Sequence, residues 1–419
     1  MRVVGISSWE PRACGIATYF KEQSDALARL GHQFQIVTHT DEGLHRDQPG
    51  VFGLIDVRDP HWYRPVHHLI ANNLRPDLVH IQHEFGLYSA PTANGEVDAD
   101  GLLALLGLLR MEGIPVVVTT HTLCGTMKPH EAEHYRAMIP LSTITVAHAP
   151  YQVERLKDNL GAIPRNVTYV EHGATPHTPE DVEAMRLEGK HRFGLEGQQV
   201  VGLNGWWSAN KNFVPIIRAW GTEIYPRLRN RNTVLAVMGA PRAGDDSQLA
   251  YKEEMMRAVE ESPARETIRV VEKSFPPEEF ELSLAAIDLA VLPYVSASQS
   301  GVAAHTGAVG TAMVLRDLEG LGAYARAAGQ ALMPFTGNAA ADLAAAADTI
   351  VAIMNDPARL RRMQSDVCAY TREVISWDRV AERYDRIYRA AVAVSRQIHD
   401  LEHSYSRAAV PSIDMIVAA

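Results

Sequence analysis

A lysine set beside a run of loop amides has the chemistry of an anion site, and Gly205-Trp206-Trp207-Ser208-Ala209-Asn210-Lys211 provides both. The apolar run Gln199–Leu203 precedes it and a helical pattern opens at Phe213, so the spacing predicts strand, tight loop, helix. That layout aims backbone N–H groups and a point-charge cation at one spot, which suits phosphate. A second such spot follows at Pro293–Gly301, where Ser298, Ser300 and Gly301 precede a small-residue segment, Val302–Gly310, that starts a helix. Hydroxyls and first-turn amides there suit a diphosphate. The plain alternatives are a surface lysine and a serine-rich turn.

In the first half, polar residues gather at the ends of apolar runs. Val79-His80-Ile81-Gln82-His83-Glu84-Phe85-Gly86 holds two histidines and a glutamate. On a strand His80 and His83 face opposite sides, which argues against a shared metal ion. His83 and Glu84 line a cleft or satisfy loop backbone groups. Thr119-Thr120-His121-Thr122 ends another apolar run, and His121 suits polar work near neutral pH. Glu171-His172-Gly173 reads as a polar strand end or a hinge turn. Cys14-Gly15-Ile16-Ala17 joins the first strand to the first helix. It is not a GxGxxG loop, yet Gly15 allows close backbone approach at a helix start that favours anions.

These residues need a frame. At 419 residues, two domains are expected. The composition, 46% hydrophobic and 21% charged, is that of a soluble globular protein. A net charge of −10 argues against nucleic-acid binding. Three irregularly spaced cysteines form no CxxC pair, so neither a zinc site nor a disulfide framework is expected. That cysteine usage predicts a reducing cytoplasm, and since no apolar run reaches membrane-spanning length no membrane span is expected, with peripheral membrane contact still compatible.

Short apolar runs alternate with helical patterns. In the first half the runs are Arg2–Ser7, Phe34–Thr38, Asp77–Gln82, Pro115–Thr120, Thr143–Ala147 and Val167–Val170. In the second they are Val200–Leu203, Thr233–Met238, Thr267–Val271, Leu289–Leu292 and Ala312–Leu315. Continuously apolar strands separated by helices imply parallel sheets covered on both faces. The class is α/β, with two doubly wound Rossmann-like parallel-sheet domains and ligands expected at a central cleft. Domains are placed at 1–185 and 186–376. Trp377–Val392 is amphipathic, with Val380, Tyr384, Ile387 and Tyr388 on one stripe. The segment from about His399 lacks clear periodicity and reads as a tail, taken as 397–419. Tyr88–Asp100 reads as an acceptor-side loop or a surface connection.

Taken together, these motifs resemble the GT-B glycosyltransferases, specifically the large retaining family that uses nucleotide-sugar donors. The resemblance spans roughly Met1 to Tyr388. Cys14–Tyr19 is similar to that family's acceptor-side glycine loop, and Gln82–Gly86 and Thr119–Thr122 to strand-end motifs of one subgroup. His172-Gly173 is similar to the domain-closing His-Gly, Gly205–Lys211 to the donor loop, and Ser376-Trp377 to the start of a C-terminal helix. That helix, 377–396, packs back on the first domain in the family. The resemblance implies transfer of a hexose, with retention and without a metal ion or other cofactor, from a nucleotide sugar to a saccharide or lipid-linked acceptor in glycan or polysaccharide biosynthesis. Lys211 and amides near Ser300, Gly301 and Thr306 would hold the donor diphosphate. His121 would touch the transferred sugar, and Gly15 would lie near the phosphate. Glu84 completes the catalytic candidates, with Ile16, His83, His172, Trp206, Asn210 and His305 as substrate contacts.

Two departures stand out. The family's donor-loop Arg is replaced by Trp206, and the Glu pair of its second phosphate loop is absent from 297–305, where Ser298, Ser300 and His305 are candidate substitutes. Losing a cation at a diphosphate costs about 1.5–3 kcal/mol, the worth of a charged hydrogen bond. Two alternatives follow: a catalytically degenerate partner protein, or another GT-B activity such as a nucleotide-sugar epimerase or a phosphorylase.

Overall fold

The computed structural model describes residues 1–12, 14–40, 48–91, 97–98, 100–123, 125–296 and 299–408. Ser298, Cys124 and, in the 88–100 loop, residues 92–96 and 99 therefore lie outside the described residues. The chain forms two compact units. One comprises Met1–Glu171 with the segment from Val380, the other His172–Arg379.

The first unit is built on a seven-stranded sheet: β1 (Arg2–Ile6), β2 (Gln33–His39), β3 (Val51–Ile55), β4 (Leu78–His83), β7 (Val116–Thr120), β8 (Ile144–Ala147) and β9 (Val167–Tyr169). A small antiparallel pair, β5 (Ala90–Pro91) and β6 (Val97–Asp98), stands apart. The order β3-β2-β1-β4-β7-β8-β9 is parallel throughout. β4 and β7 are buried along their whole length, as strands of a parallel sheet covered on both faces are, and β4 carries His80, Gln82 and His83 into that burial. The chain winds from β1 out to β3 and then returns to β4 on β1's other side. The winding thus reverses between β1 and β4, where ligands of such sheets sit.

The second unit repeats the plan with β10 (Gln199–Asn204), β11 (Thr233–Gly239), β12 (Ile268–Glu272), β13 (Leu289–Leu292), β14 (Ala312–Arg316) and β15 (Ala331–Met333), in the order β12-β11-β10-β13-β14-β15. Here the reversal falls between β10 and β13, the two strands that carry the phosphate-friendly loops.

Besides the two-residue strands β5 and β6, two strands of the main sheets escaped the pattern reading. β3 and β15 are short edge strands, mostly half-exposed, so neither carries a long apolar run. The last helix runs from Trp377 to Ala408, past residue 396 where the sequence reading ended it, and 409–419 lie outside the described residues. Its Val380, Tyr384, Tyr388 and Ala391 are buried at helical spacing within the first unit. Trp377 itself belongs to the second unit and closes over Gly173. A Cβ there would lie 2.5 Å from the indole, so only glycine fits.

Candidate functional site

At the winding reversal of the second unit, the loop after β10 is shaped by two glycines. Gly205 has φ 124° and Gly239 has φ 137°. A Cβ on Gly239 would stand 2.0 Å from the Gly205 carbonyl, so the two backbones run in direct contact. Trp207, fully buried, anchors the loop, and its backbone N–H donates to the Ala240 carbonyl at 3.0 Å. A short turn, Ala209–Lys211, and a left-handed Asn212 (φ 55°) then feed the helix Phe213–Ala219.

This turn presents Lys211 to a neighbouring ring. The ammonium sits 3.7 Å above the centroid of Tyr294, which is 1% exposed. Such contacts hold a cation in place without neutralising it. The Val295 N–H donates to the Asn210 carbonyl at 2.9 Å, tying the β10 and β13 loops together. Trp206, half-buried, carries a second cation: the Arg242 guanidinium carbon lies 5.2 Å from its ring centroid. Among the described residues neither Lys211 nor Arg242 has a carboxylate partner.

Helix Gly301–Ala308 begins beside this loop. A Cβ on Gly205 would come within 3.8 Å of the Val302 side chain. The Ser300 hydroxyl caps the helix by accepting from the Ala303 N–H at 3.3 Å, while the first-turn amides of Gly301 and Val302 have no intrahelical acceptor. His172 lies against the same turn, its Nε2 3.4 Å from where a Gly301 Cβ would stand, and its Nδ1 bonds the Gly173 carbonyl at 2.8 Å. Thr306 is fully buried, its hydroxyl donating to the Val302 carbonyl at 2.6 Å. His305 points to Glu281 (3.3 Å), which also pairs with His177 (2.9 Å). Burial raises the Glu281 pKa, but the hydrogen bonds from His177 and His305 outweigh it and leave the carboxyl at about 2.

In the first unit, Gly15 and Ile16 open the helix Gly15–Arg29 after an extended Cys14. A Cβ on Gly15 would meet no protein atom, so packing does not demand glycine there. His121, at the end of β7, bonds Gln82 Oε1 through Nε2 at 2.8 Å, so that nitrogen carries the proton. Gln82 in turn donates to Gln23 Oε1 at 2.8 Å and lies 3.2 Å from His80 Nε2. His80 reaches Thr119 Oγ1 at 2.8 Å and Tyr388 Oη at 2.6 Å, and Tyr384 bonds Thr119 at 2.9 Å. Tyr19 packs edge-on against His121 with ring centroids 5.0 Å apart. His121 is thereby held by a continuous buried chain that ends on the C-terminal helix.

Neighbouring residues form a second cluster. His83 meets His134 with the two Nε2 atoms 3.0 Å apart and the rings stacked. Burial pushes both pKa values down, His134 to about 4. Glu84 accepts from the Thr122 hydroxyl, and burial raises its pKa. Among the described residues no three metal-ligating side chains group together.

Arg242, His134 and the tyrosines Tyr19, Tyr384 and Tyr388 were not singled out as site residues. Arg242 sits well downstream of the loop it joins, and only the pairing of β10 with β11 brings it there. Tyr384 and Tyr388 did show as a helical stripe, a signal that marks burial without naming the partner.

Comparison with known proteins agrees with this architecture. A family model, Glycosyltransferase Family 4, matches residues 13–177. No curated protein matches the chain. Among solved structures the chain is similar to Anabaena Alr3699/HepE in complex with UDP, at 13% identity and a TM-score of 0.68 over 93% of this chain and 100% of that one. The sucrose-phosphate synthase of Thermosynechococcus elongatus matches at 15% identity and 0.70 over 94% and 100%. A glycosyltransferase from Rickettsia africae matches at 11% and 0.70 over 93% and 98%. The fold is GT-B. Within it, the loops after β10, β11 and β13 carry Lys211, Arg242 and the first-turn amides of the second unit, and those after β1, β4 and β7 carry the glycine, histidines and glutamate of the first.

Proposed function

We propose that this chain is a retaining glycosyltransferase that moves a hexose from a nucleotide sugar to a saccharide or lipid-linked acceptor. The observation that carries the reading is that the loops after β10 and β13, tied together by the Val295–Asn210 hydrogen bond where the second sheet reverses, hold Lys211 and the first turn of Gly301–Ala308, with Arg242 resting on Trp206 of the same β10 loop. A diphosphate is the ligand whose charge and size answer that arrangement. The match to the family model and the neighbours solved with UDP or with UDP-glucose support it.

In this reading Lys211 and the helix amides stabilise the charge that grows on the departing diphosphate. A phosphate oxygen takes the acceptor hydroxyl's proton on the face the leaving group vacates, so no side-chain nucleophile is needed. His121, fixed through Gln82 with its Nε2 protonated, contacts the sugar, and Gly15 leaves room near the phosphate. Glu84, His83, Ile16 and His172 belong to the substrate surroundings. The reading requires no metal ion, the cations supplying the positive charge.

Titration calorimetry with UDP, GDP and ADP and their common sugar conjugates tests it. One base should bind, and Lys211→Ala should remove most of that affinity while the protein stays folded. A folded protein that binds none of them would instead favour a catalytically silent partner, the alternative that Trp206 in the donor loop motivates.

A further inference from the structure

The first unit's sheet ends on β9, which has a strand on one side only. β9 runs parallel to β8, with Thr145 opposite Val167 and Ala147 opposite Tyr169. The Thr145 N–H donates to the Asn166 carbonyl at 2.8 Å, and the Val170 N–H to the Ala147 carbonyl at 2.9 Å. Asn166, Thr168 and Val170 therefore bond inward, while Val167 and Tyr169 turn their N–H and C=O groups away from the sheet. Among the described residues these outward groups meet one partner, the Pro164 carbonyl, 3.3 Å from the Val167 N–H. The edge is also apolar where it meets water. Tyr169 is 40% exposed, and Ile163, just ahead of the strand, 47%. An unpaired edge of this kind is a template for another strand.

The strand that fits it is its own copy. Arg165-Asn166-Val167-Thr168-Tyr169-Val170-Glu171 is complementary to its own reverse. Laid antiparallel on a second copy about a two-fold axis through Thr168, Val167 opposes Tyr169, Thr168 opposes itself and Arg165 opposes Glu171. These are a β-branched–aromatic pair, a Thr–Thr pair and an opposite-charge pair, the cross-strand combinations that favour pairing. The hydrogen-bond parity agrees. Val167 and Tyr169, the residues that turn outward, are the two that this axis sets opposite each other, as a hydrogen-bonded pair requires. Arg165 is exposed, and the Glu171 side chain stays 22% exposed beside Arg383. β12, an edge strand of the second unit, has no such symmetry. An axis through Val270 sets Ile268 against Glu272, and one through Arg269 sets Glu266 against Glu272.

We propose that β9 is a self-pairing edge through which two copies of the chain join their first-unit sheets in an isologous dimer. The contact is short, so the dimer forms and dissociates with protein concentration. It does not depend on what Lys211 binds.

Sedimentation equilibrium of the full chain, from micromolar to millimolar concentration, tests it. The unaltered chain should pass from monomer to dimer. Tyr169→Pro removes an outward N–H that no bond within the chain uses, so the monomer should fold and the dimer be lost. Arg165→Glu and Glu171→Arg each bring like charges together at both ends of the pairing and should weaken the dimer about tenfold or more. An equimolar mixture of those two variants sets opposite charges at both ends again and should restore it, which an interface elsewhere on the molecule would not do. If Glu171→Arg fails to fold through loss of its pair with Arg383, Tyr169→Pro and Arg165→Glu decide the matter. The assignment is overturned by a chain that stays monomeric at millimolar concentration, by a dimer that Tyr169→Pro and Arg165→Glu leave unchanged, or by one that the mixture of folded variants does not restore.

Discussion

Trp206 occupies the position at which the resembled family carries an arginine, and the side chain resting on it is Arg242. The cation missing from one loop is thus supplied at nearly the same place from the loop after β11. Arg242 is exposed, so water screens it and its contribution should fall at the low end of a charged hydrogen bond. Arg242→Ala should weaken the cognate nucleoside diphosphate about tenfold, ~1.4 kcal/mol, and leave the bare nucleoside unchanged. Calorimetry on both ligands checks this, and an unaltered diphosphate affinity would remove Arg242 from the site. Lys211 could be picked out of the sequence because strand, loop and helix surround it within a few residues. Arg242 could not, since its place depends on the pairing Asn204↔Met238 across the sheet.

Among the elements, the C-terminal helix shows how a polar network fixes packing. Tyr388 is fully buried, and its hydroxyl is the acceptor for His80 Nδ1 if Gln82 and Thr119 donate to Nε2. Tyr388→Phe keeps the ring and strands that imidazole N–H in a fully buried site. The loss should be about 1–3 kcal/mol, the cost of an unsatisfied buried donor, read as a lower midpoint in urea with an unchanged slope. A cost below about 0.5 kcal/mol would mean that water or another side chain takes the tyrosine's place. The amphipathic stripe that predicted this helix reports only that one face is buried. Which residues receive it is set by strand ends far away in sequence. The same limit applied to β3 and β15: a fully buried strand such as β11 announces itself as an apolar run, whereas a half-exposed edge strand looks like its flanking loops. Helical continuation past residue 396 was lost in a polar stretch whose composition marks neither a core nor a stop.

At the scale of the whole molecule, the two units carry titrating groups of opposite sense. In the first, burial holds His80 at about 3 and His134 and His148 at about 4, all below the ordinary value of 6.5. A group depressed in the folded state binds its proton first in the unfolded chain. Its stabilisation is complete above pH 6.5 and is lost as pH falls toward the folded value. At about 1.4 kcal/mol per pH unit, each such histidine withdraws on the order of 1–2 kcal/mol between pH 6.5 and 5. In the second unit His177 is raised by its hydrogen bond to Glu281, so its contribution is complete below pH 6.5 and fades only as pH rises through the raised value. Glu281, at about 2, keeps its contribution down to about pH 4.5, so it opposes nothing in this window. Acidification from pH 7 to 5 should therefore loosen the first unit and spare the second. Hydrogen exchange, corrected for intrinsic rates, should show protection falling in β4 and β7 while β10 and β11 hold. Parallel losses in both units would show instead that the buried histidines find solvent or a proton partner on acidification. In that event the buried chain from Gln82 to His80 would not be the element that fixes the orientation of His121.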